Sequence, residues 1–375
     1  MSLHVFGNIL TGYGCAANNR GETEGNITTL QKLLWKGQVH TVVSAEAIRW
    51  ALRYYWQTSG LDSQINRSWD DIKNDHSFKD QNYQAWHPTN PTGKSFLDDD
   101  LLGFMDASAG NEESEMMFEI PRRRTELQLQ VENAKNKEKS QQALTKFEKA
   151  ITSLVEARGK LGDAIQEGDE IKIKKLEDNI EKIRKQAGLK SLAIVRRGVL
   201  EVSRAISTTP YAGDISFNAR SGVKSRTSLY GTEMHATRYQ YGFCMTPERL
   251  KIKARCLAAL DAISSLGEVA GNHSRFLFDF SPESIILRIS NDPAPRILYC
   301  LADNNGKINA EELARKVKAG DIDKDELIVG GAIAELPEIK DMGVQAVFGG
   351  IKEAVKKAQE IIKEKLGLKD ESNQG

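Results

Sequence analysis

The sequence predicts an α+β fold in which an antiparallel sheet is covered by helices and interrupted by long insertions. Residues 3–11 and 234–245 are rich in apolar and β-prone side chains with strand-like alternation. Between these two segments, residues 122–190 shift to Lys, Glu, Gln, Ala and Leu at helical spacing. The order of strand, helix, insertion, strands, helix and strands fits a single sheet backed by helices.

In the first part of the chain, the strand at 3–11 leads into a Gly- and Asn-rich segment, 12–25, predicted to be a loop. Ser44 is a candidate N-cap for a helix over 45–57, whose apolar residues recur at helical spacing. Residues 58–110 are polar, contain prolines and show no clear period. We therefore expect an irregular insertion there.

The segment 122–190 carries two apolar series that follow a 3–4 spacing. One includes Leu144, Phe147, Ile151 and Leu154, and the other runs from Ile173 to Ala187 after a turn at Gly168. A narrow seam of this kind is typical of paired helices. The sequence predicts an antiparallel helical hairpin over 125–187.

The last part of the chain again mixes strands and helices. Thr246 followed by Pro247 predicts the start of a helix that ends near Leu266. The remaining predicted elements are strands at 192–206, 275–280, 284–290 and 296–302, a long loop or irregular hairpin at 207–229, and helices at 310–319 and 350–366.

Length and composition exclude several classes of protein. The chain has 375 residues, with 52 Lys and Arg balancing 52 Asp and Glu. This length predicts two or three structural units. Zero net charge argues against a protein that coats nucleic acid indiscriminately.

A membrane or secreted protein is also not expected. The longest uncharged apolar run, Leu327 to Ala334, is much shorter than the about 20 residues of a spanning helix. The first residues lack the basic and apolar regions of a signal peptide, and the four cysteines form no C-x-x-C pair. We expect a cytoplasmic chain with free thiols.

The charge is nevertheless distributed unevenly, with eleven basic against four acidic residues between Ser191 and Arg255. Within that segment Arg220, Lys224 and Arg226 are interleaved with Phe217 and neighbouring tyrosines. Basic side chains track phosphates and aromatic rings stack on bases, so this pattern favours binding of single-stranded nucleic acid.

A second candidate phosphate site lies near the N-terminus. The loop with Asn19 and Arg20 offers amide and guanidinium donors, and Ser44 begins a helix that carries Arg49 and Arg53 one turn apart. Other motifs are weaker. Gly93-Lys94-Ser95 has a proline where a phosphate-binding loop needs glycine, and no histidine pairs with another ligand at metal spacing. We expect no metal and no cofactor.

Four blocks of the sequence resemble the Cas seven family, in its DevR branch from type I CRISPR–Cas systems. They are Val199 to Ser207, Asp214 to Asn218, Tyr241-Gly-Phe, and Ala270 to Ser281. The blocks fall in the expected order and the resemblance covers 1–57 and 191–302. It does not extend over the helical segment 122–190.

The resemblance implies a non-catalytic backbone subunit of a Cascade complex. Such a subunit has an RRM-like antiparallel core, called the palm, an inserted helical fingers region and a thumb hairpin. Copies polymerise along CRISPR RNA (crRNA), the thumb intercalates between guide bases, and the guide is presented to target DNA. The implied partners are crRNA, target DNA, other copies of the chain, and the Cas five, Cas eight-type and Cas six-type subunits of Cascade.

Domain boundaries and site residues follow from combining the patterns with this resemblance. The palm is expected over 1–57 and 191–302, with the thumb at 207–229, the fingers over 58–190, and a C-terminal helical segment over 303–375 that packs on the core. No catalytic residue is expected. The predicted RNA-binding residues are Asn19, Arg20, Ser44, Arg49, Arg53, Arg204, Phe217, Arg220, Lys224, Arg226, His235, Arg238, Asn272, His273 and Arg275.

Two alternative functions stay open at this point. Related type III backbone subunits cleave RNA with an aspartate in an N-terminal loop, whereas the first aspartate here is Asp62, which leaves His235 and Asp214 as candidates for an RNase. The second alternative is a protein-interaction adaptor built around the helical hairpin 125–187.

Overall fold

A computed structural model describes residues 2–17, 19–86, 91–106, 116, 119–134, 137–189, 194–219, 229–270, 278–304 and 306–368, with the side chains of 19–21, 106 and 194 excepted. The chain divides into two compact units. The first contains residues 1–81, 95–103 and 197–375, and the second contains 82–94 and 104–196.

The strands confirm the predicted α+β class with a largely antiparallel sheet. In chain order they are β1 (His4–Thr11), β2 (Gly14–Ala16), β3 (Asn19–Glu24), β4 (Ile27–Leu30), β5 (Lys32–Trp35), β6 (Gln38–Val43), β7 (Arg67–Asp70), β8 (Asp75–Phe78), β9 (Gly103–Asp106), β10 (Ile194–Arg197), β11 (Glu201–Val202), β12 (Ala205–Ser207), β13 (Ile215–Ala219), β14 (Leu229–Glu233), β15 (His235–Thr237), β16 (Tyr239–Met245), β17 (Pro282–Ser290), β18 (Ala302–Asn304), β19 (Lys307–Asn309), β20 (Leu327–Gly331) and β21 (Ala346–Phe348).

The main sheet has the order β21-β20-β17-β1-β16-β12-β6-β5, and β11 also pairs with β16. The pair β20–β21 is parallel, while the other pairs recorded along this path are antiparallel. A smaller sheet has the order β13-β14-β4-β3, in which β14 and β4 run parallel. The two-stranded pairs are β2–β15, β7–β8, β9–β10 and β18–β19.

The helices are α1 (Ala45–Trp56), α2 (Leu97–Leu102), α3 (Ile120–Asn133), α4 (Lys137–Glu167), α5 (Glu170–Ala187), α6 (Arg255–Ile263), α7 (Glu311–Lys318), α8 (Pro337–Asp341) and α9 (Ile351–Leu366). The predicted helix after Ser44 is confirmed, and the Ser44 hydroxyl accepts the N–H of Ala47 at 3.2 Å. The predicted helices at 310–319 and 350–366 are also confirmed, as α7 and α9.

The central strand β1 is buried on both faces. Because side chains alternate along a strand, Val5 and Ile9 pack in one hydrophobic cluster, with α1, α6 and α9, whereas Phe6 and Leu10 pack in the other, with α7 and α8. Gly7 lies opposite Phe243 on β16, and a Cβ at Gly7 would lie 2.0 Å from that ring. Glycine is therefore required for the two strands to pair here.

Several predicted elements are wrong. The predicted loop 12–25 contains β2 and β3, and the predicted strands near 275–280 and 296–302 do not form over residues 278–280 and 296–301, while 275–277 lie outside the described residues. The helix expected from Thr246 begins only at Arg255, after a 3₁₀ turn at Pro247–Arg249. The backbone N–H groups of Lys251 and Ile252 donate to the carboxylate of Asp100 instead of entering a helix.

The segment 58–110 is more ordered than predicted, since it contains β7, β8, α2 and β9. Its acidic run Asp98 to Asp100 is buried. Asp98 accepts the backbone N–H groups of Asn66 and Arg67, and Asp99 accepts the side-chain amide of Asn66 at 3.0 Å. The carboxylates thus replace the local hydrogen bonds that the irregular backbone cannot make.

Asp99 is expected to make the first unit less stable as pH rises. Burial, reinforced by the charge of Asp98, raises the pKa of Asp99 to about 8 in the fold, against about 4 in an unfolded chain. The fold therefore retains a proton that the unfolded chain has lost, so this stabilisation is complete below about pH 4 and declines up to about pH 8. Denaturant midpoints measured across this window test the effect.

Asp99→Asn is the matched variant, because an amide has the shape of the neutral acid and can still accept from Asn66. We expect the wild type to lose stability relative to Asp99→Asn as pH rises, with the difference becoming constant above about pH 8. A difference that does not vary with pH would contradict a protonated Asp99.

In the second unit, α3, α4 and α5 form a helical bundle around Leu127, Phe147, Ile151 and Leu154. The predicted hairpin is confirmed as α4 and α5, which are joined by a turn at Gly168 and Asp169. The helix α3 is an additional element. The Asp169 carboxylate accepts the N–H of Lys172 at 3.0 Å, which caps α5.

The C-terminal part contributes two strands to the main sheet that were not predicted. All five residues of β20 are buried, so its continuous apolar run marks a strand covered on both faces. Among the residues that the structure describes, no helix combines the length and apolar character needed to span a membrane.

Candidate nucleic-acid interface

The strands β13 and β14 form an antiparallel hairpin within the predicted thumb segment. Phe217 pairs with Gly231, and Ala219 with Leu229. Of the two possibilities left open by the sequence, a long loop or an irregular hairpin, the described residues 215–219 and 229 form a hairpin. The tip of the segment, 220–228, with Arg220, Lys224 and Arg226, lies outside the described residues.

One face of this hairpin exposes apolar side chains. Phe217 is 75% exposed and Leu229 61%, which is unusual for large apolar residues on paired strands. The side chains of Ile27 and Ile215 fill the space over Gly231, where a Cβ would lie 3.0 Å from Ile27 and 3.1 Å from Ile215. The hairpin therefore offers an aromatic ring and aliphatic groups to a ligand.

An ion pair links the base of the hairpin, where β14 ends at Glu233, to the neighbouring strands β4 and β5. The Glu233 carboxylate accepts the ammonium of Lys32 at 2.6 Å and the backbone N–H of Leu30 at 2.7 Å. The Lys32 ammonium also lies 4.7 Å from the ring centroid of Tyr211. Burial and the Glu233 charge raise the pKa of Tyr211 to about 12, so its hydroxyl stays neutral.

His235, the first residue of β15, is buried below the base of the hairpin and is not on the surface. Its Nδ1 is 2.8 Å from the hydroxyl of Thr41, which is itself 2.9 Å from the hydroxyl of Tyr239. The Tyr211 ring packs edge-on against the imidazole, with centroids 5.5 Å apart. Burial lowers the pKa of His235, so the ring is neutral at pH 7 and its structural role is to support the hairpin.

The arginines of α1 are engaged within the first unit. Arg49 donates to the backbone oxygen of Leu102, and the Arg53 guanidinium lies 3.6 Å from the Asp98 carboxylate. Burial lowers the pKa of Arg53, and the Asp98 charge opposes that shift. The RNA contacts predicted for Ser44, Arg49 and Arg53 stay predictions, while the structure gives all three a role in holding α1.

The other predicted site residues fall into three groups. Arg204 is exposed, and Arg238 forms an ion pair with Glu283 at 2.9 Å. Asn19 and Arg20 begin β3, but their side chains are not among those described. Outside the described residues lie Asn272, His273 and Arg275. The fold thus places Phe217 on the β13–β14 hairpin and His235 on β15, directly after it, and it places the α1 residues beside α2.

Sequence reasoning missed the pair that fastens this hairpin. Lys32 and Glu233 lie on strands far apart in the chain, and no local pattern marks either one. No group of three or more His, Cys, Asp or Glu side chains suited to a metal ion occurs within the described residues.

Taken together, the mixed sheet and the exposed aromatic hairpin beside a basic segment define an α+β protein with a surface typical of single-stranded nucleic-acid binding. The chain is 40% identical over 345 residues to the CRISPR-associated protein Cas7/Cst2/DevR of Myxococcus xanthus (strain DK1622), covering 89% of this chain and 88% of that protein. The chain therefore belongs to the Cas7/Cst2/DevR family of CRISPR-associated proteins.

Two solved structures are also similar. A chain of a CRISPR RNA-guided surveillance complex in a pre-nicking state has a TM-score of 0.46 and 10% identity, and covers 96% of this chain and 100% of its own length. A chain of a CRISPR RNA-guided surveillance complex has a TM-score of 0.47 and 12% identity, and the match covers 95% of this chain and 100% of that chain. No protein-family model matches the chain.

Proposed function

We propose that this chain is a crRNA-binding backbone subunit of a cytoplasmic Cascade complex, which polymerises along the guide and presents it to target DNA. In this proposal the main sheet of the first unit is the RRM-like palm, the second unit belongs to the fingers, and the segment 207–229 is the thumb. Membership of the Cas7/Cst2/DevR family supports it. The observation that carries it is the exposed Phe217 on a hairpin that leads into Arg220, Lys224 and Arg226.

The proposed mechanism is binding without bond making or breaking. The Phe217 and Leu229 side chains wedge between guide bases, while the arginines and the lysine at the tip neutralise phosphates. Such contacts do not depend on base identity, so target specificity comes from pairing between guide and DNA. The buried His235 enters this mechanism as a support for the hairpin.

The second unit carries a groove suited to a polyanion. Between α4 and α5 lies a groove of about 800 Å³, lined along α4 by three exposed lysines, Lys146, Lys149 and Lys160, against one carboxylate, Glu156. We propose target DNA as the partner of this surface. Other copies of the chain and the Cas five, Cas eight-type and Cas six-type subunits complete the proposed assembly.

Purification followed by RNA sequencing tests the proposed function. The chain is expressed with its neighbouring CRISPR genes, and the RNA that copurifies with it is sequenced. We expect transcripts that alternate repeat and spacer. A particle that holds no RNA, and that binds none when offered mature guide, would contradict the proposal.

The same particle tests the RNase alternative. Incubation with a divalent metal ion and labelled complementary RNA is expected to leave the RNA intact. Periodic cleavage products would overturn the non-catalytic assignment.

Phe217→Ala is expected to weaken binding of guide RNA by about tenfold, because base stacking contributes roughly 1–3 kcal/mol per base. Phe217→Tyr keeps a ring and is expected to bind like the wild type. Ile72→Ala removes another exposed apolar side chain, in the turn after β7, and serves as the matched control. Equal affinities for Phe217→Ala and Ile72→Ala, measured by fluorescence anisotropy, would exclude an intercalating Phe217.

A further inference from the structure

A small pocket opens beside the β5–β6 and β18–β19 hairpins of the first unit. Its volume is about 230 Å³, below the about 300–1,000 Å³ of pockets for drug-sized ligands. Trp35 and Tyr299 form one wall, with ring centroids 5.3 Å apart and ring planes tilted by 55°. The space and the aromatic wall suit a single flat ring system.

Tyr299 is fixed at this wall by its backbone and by its hydroxyl. Its N–H donates to Asn8 Oδ1 at 3.0 Å, and its hydroxyl lies 2.9 Å from Ser203 Oγ and 2.6 Å from the backbone oxygen of Arg204. Its φ is 50°, which a bulky residue rarely adopts. Because such conformations persist only where the surroundings impose them, these contacts fix the position of the ring.

Three of the polar side chains that line the pocket already have partners. His40 Nδ1 is 2.7 Å from the backbone oxygen of Ser207, and Asp303 accepts the hydroxyl of Thr208 at 2.9 Å. The Gln240 amide both donates to and accepts from backbone groups. Because these three groups are engaged within the fold, the surface that they leave to a ring is the aromatic wall.

A lysine lies on the rim of the pocket. Lys36 lines the pocket from the turn between β5 and β6. Asp303 is the acidic residue of the lining, and the hydroxyl of Thr208 and the N–H of Gly306 donate to its carboxylate. An ammonium group beside an aromatic wall suits a ring that is linked to a phosphate.

We propose that this pocket takes one unpaired nucleobase of the bound RNA, stacked on Trp35 and Tyr299 irrespective of its identity, with Lys36 on the adjoining phosphate. The inference rests on the proposed function, because it requires RNA on this chain. It adds a base-binding site distinct from the exposed face of the β13–β14 hairpin.

Photo-crosslinking of the full-length chain tests the pocket. A short oligouridine that carries 5-iodouridine is irradiated with the protein, and the crosslinked peptides are identified by mass spectrometry. We expect crosslinks at Trp35 or Tyr299. Trp35→Leu is expected to remove the crosslink at that residue and to weaken binding about tenfold, whereas Trp35→Phe preserves affinity.

Trp50→Leu is the matched control, since Trp50 also pairs with a tyrosine, Tyr54, at 5.2 Å but lies on α1. Tyr299→Leu is a second pocket variant. If circular dichroism shows that one of the two variants is misfolded, the RNA affinity of the other still tests the pocket. An oligoadenosine is expected to bind as tightly as the oligouridine.

The outcomes separate the pocket from the proposed function. Crosslinks confined to other residues, together with wild-type affinity of a folded Trp35→Leu, would overturn the pocket and leave the backbone-subunit proposal intact. A strong preference for one base would overturn recognition by stacking alone. A wild-type chain that binds no RNA would instead contradict the proposed function.

Discussion

Replacing Arg220, Lys224 and Arg226 together by alanine is expected to reduce the affinity for crRNA and to flatten its salt dependence. Each phosphate neutralised on a single strand adds about 0.7 to the slope of log affinity against log salt concentration. Three lost contacts therefore lower that slope by about 2. Filter-binding titrations at several salt concentrations measure the affinity and the slope together.

The matched control replaces three exposed lysines of the C-terminal part, Lys318, Lys324 and Lys356, by alanine. It removes the same net charge but is expected to leave the slope close to that of the wild type. An identical slope for both triple variants would mean that the basic tip of the hairpin does not contact phosphates.

Asp100→Ala is expected to destabilise the first unit by about 3–5 kcal/mol, because it leaves a buried arginine unpaired. The Asp100 side chain is fully buried and accepts the Arg255 guanidinium at 2.8 Å, and Arg255 is only 10% exposed. The backbone N–H groups of Lys251 and Ile252 would also lose their acceptor. Denaturant unfolding followed by tryptophan fluorescence reports on this unit, since four of the five tryptophans belong to it.

Asp71→Ala removes a carboxylate at the exposed turn after β7, and it is expected to have little effect on the unfolding midpoint. Asp100→Asn keeps one acceptor oxygen without the charge, so its midpoint should fall between those of Asp100→Ala and the wild type. A midpoint for Asp100→Ala that equals the Asp71→Ala value would show that this ion pair does not hold the fold.

The elements that the sequence predicted well are those with a local cause. The α1 helix has its cap at Ser44 and an apolar stripe within four turns, and the α4–α5 hairpin carries its own seam and its own turn. In these segments the residues that define the element lie next to one another in the chain. Propensity and spacing therefore suffice.

The elements that were wrong depend on distant partners. Residues 250–254 have a helical pattern, yet the Asp100 carboxylate, far away in the chain, captures two of their N–H groups. The acidic run at Asp98 to Asp100 has the composition of a solvated loop. It is nevertheless buried, because four backbone N–H groups from two other segments donate hydrogen bonds to its carboxylates. Tertiary hydrogen bonds of this kind leave no local signal.

The candidate site divides in the same way. Phe217 was found because an aromatic residue among basic ones is visible in the sequence, and the thumb boundaries came from the resemblance to the Cas seven family. The contacts between Lys32 and Glu233 and between Trp35 and Tyr299 each join segments separated by most of the chain. Only the assembled sheet brings such pairs together.

The position of β1 also bears on how the protein is made. This first strand is hydrogen-bonded on one side to β16 and on the other to β17, so its second neighbour, residues 282–290, is among the later parts to leave the ribosome. At about 5–20 residues per second, the first strand waits about 15–60 s for that neighbour. During this interval the apolar residues of β1 are uncovered, and the nascent chain is a natural client for chaperones that shield unpaired strands.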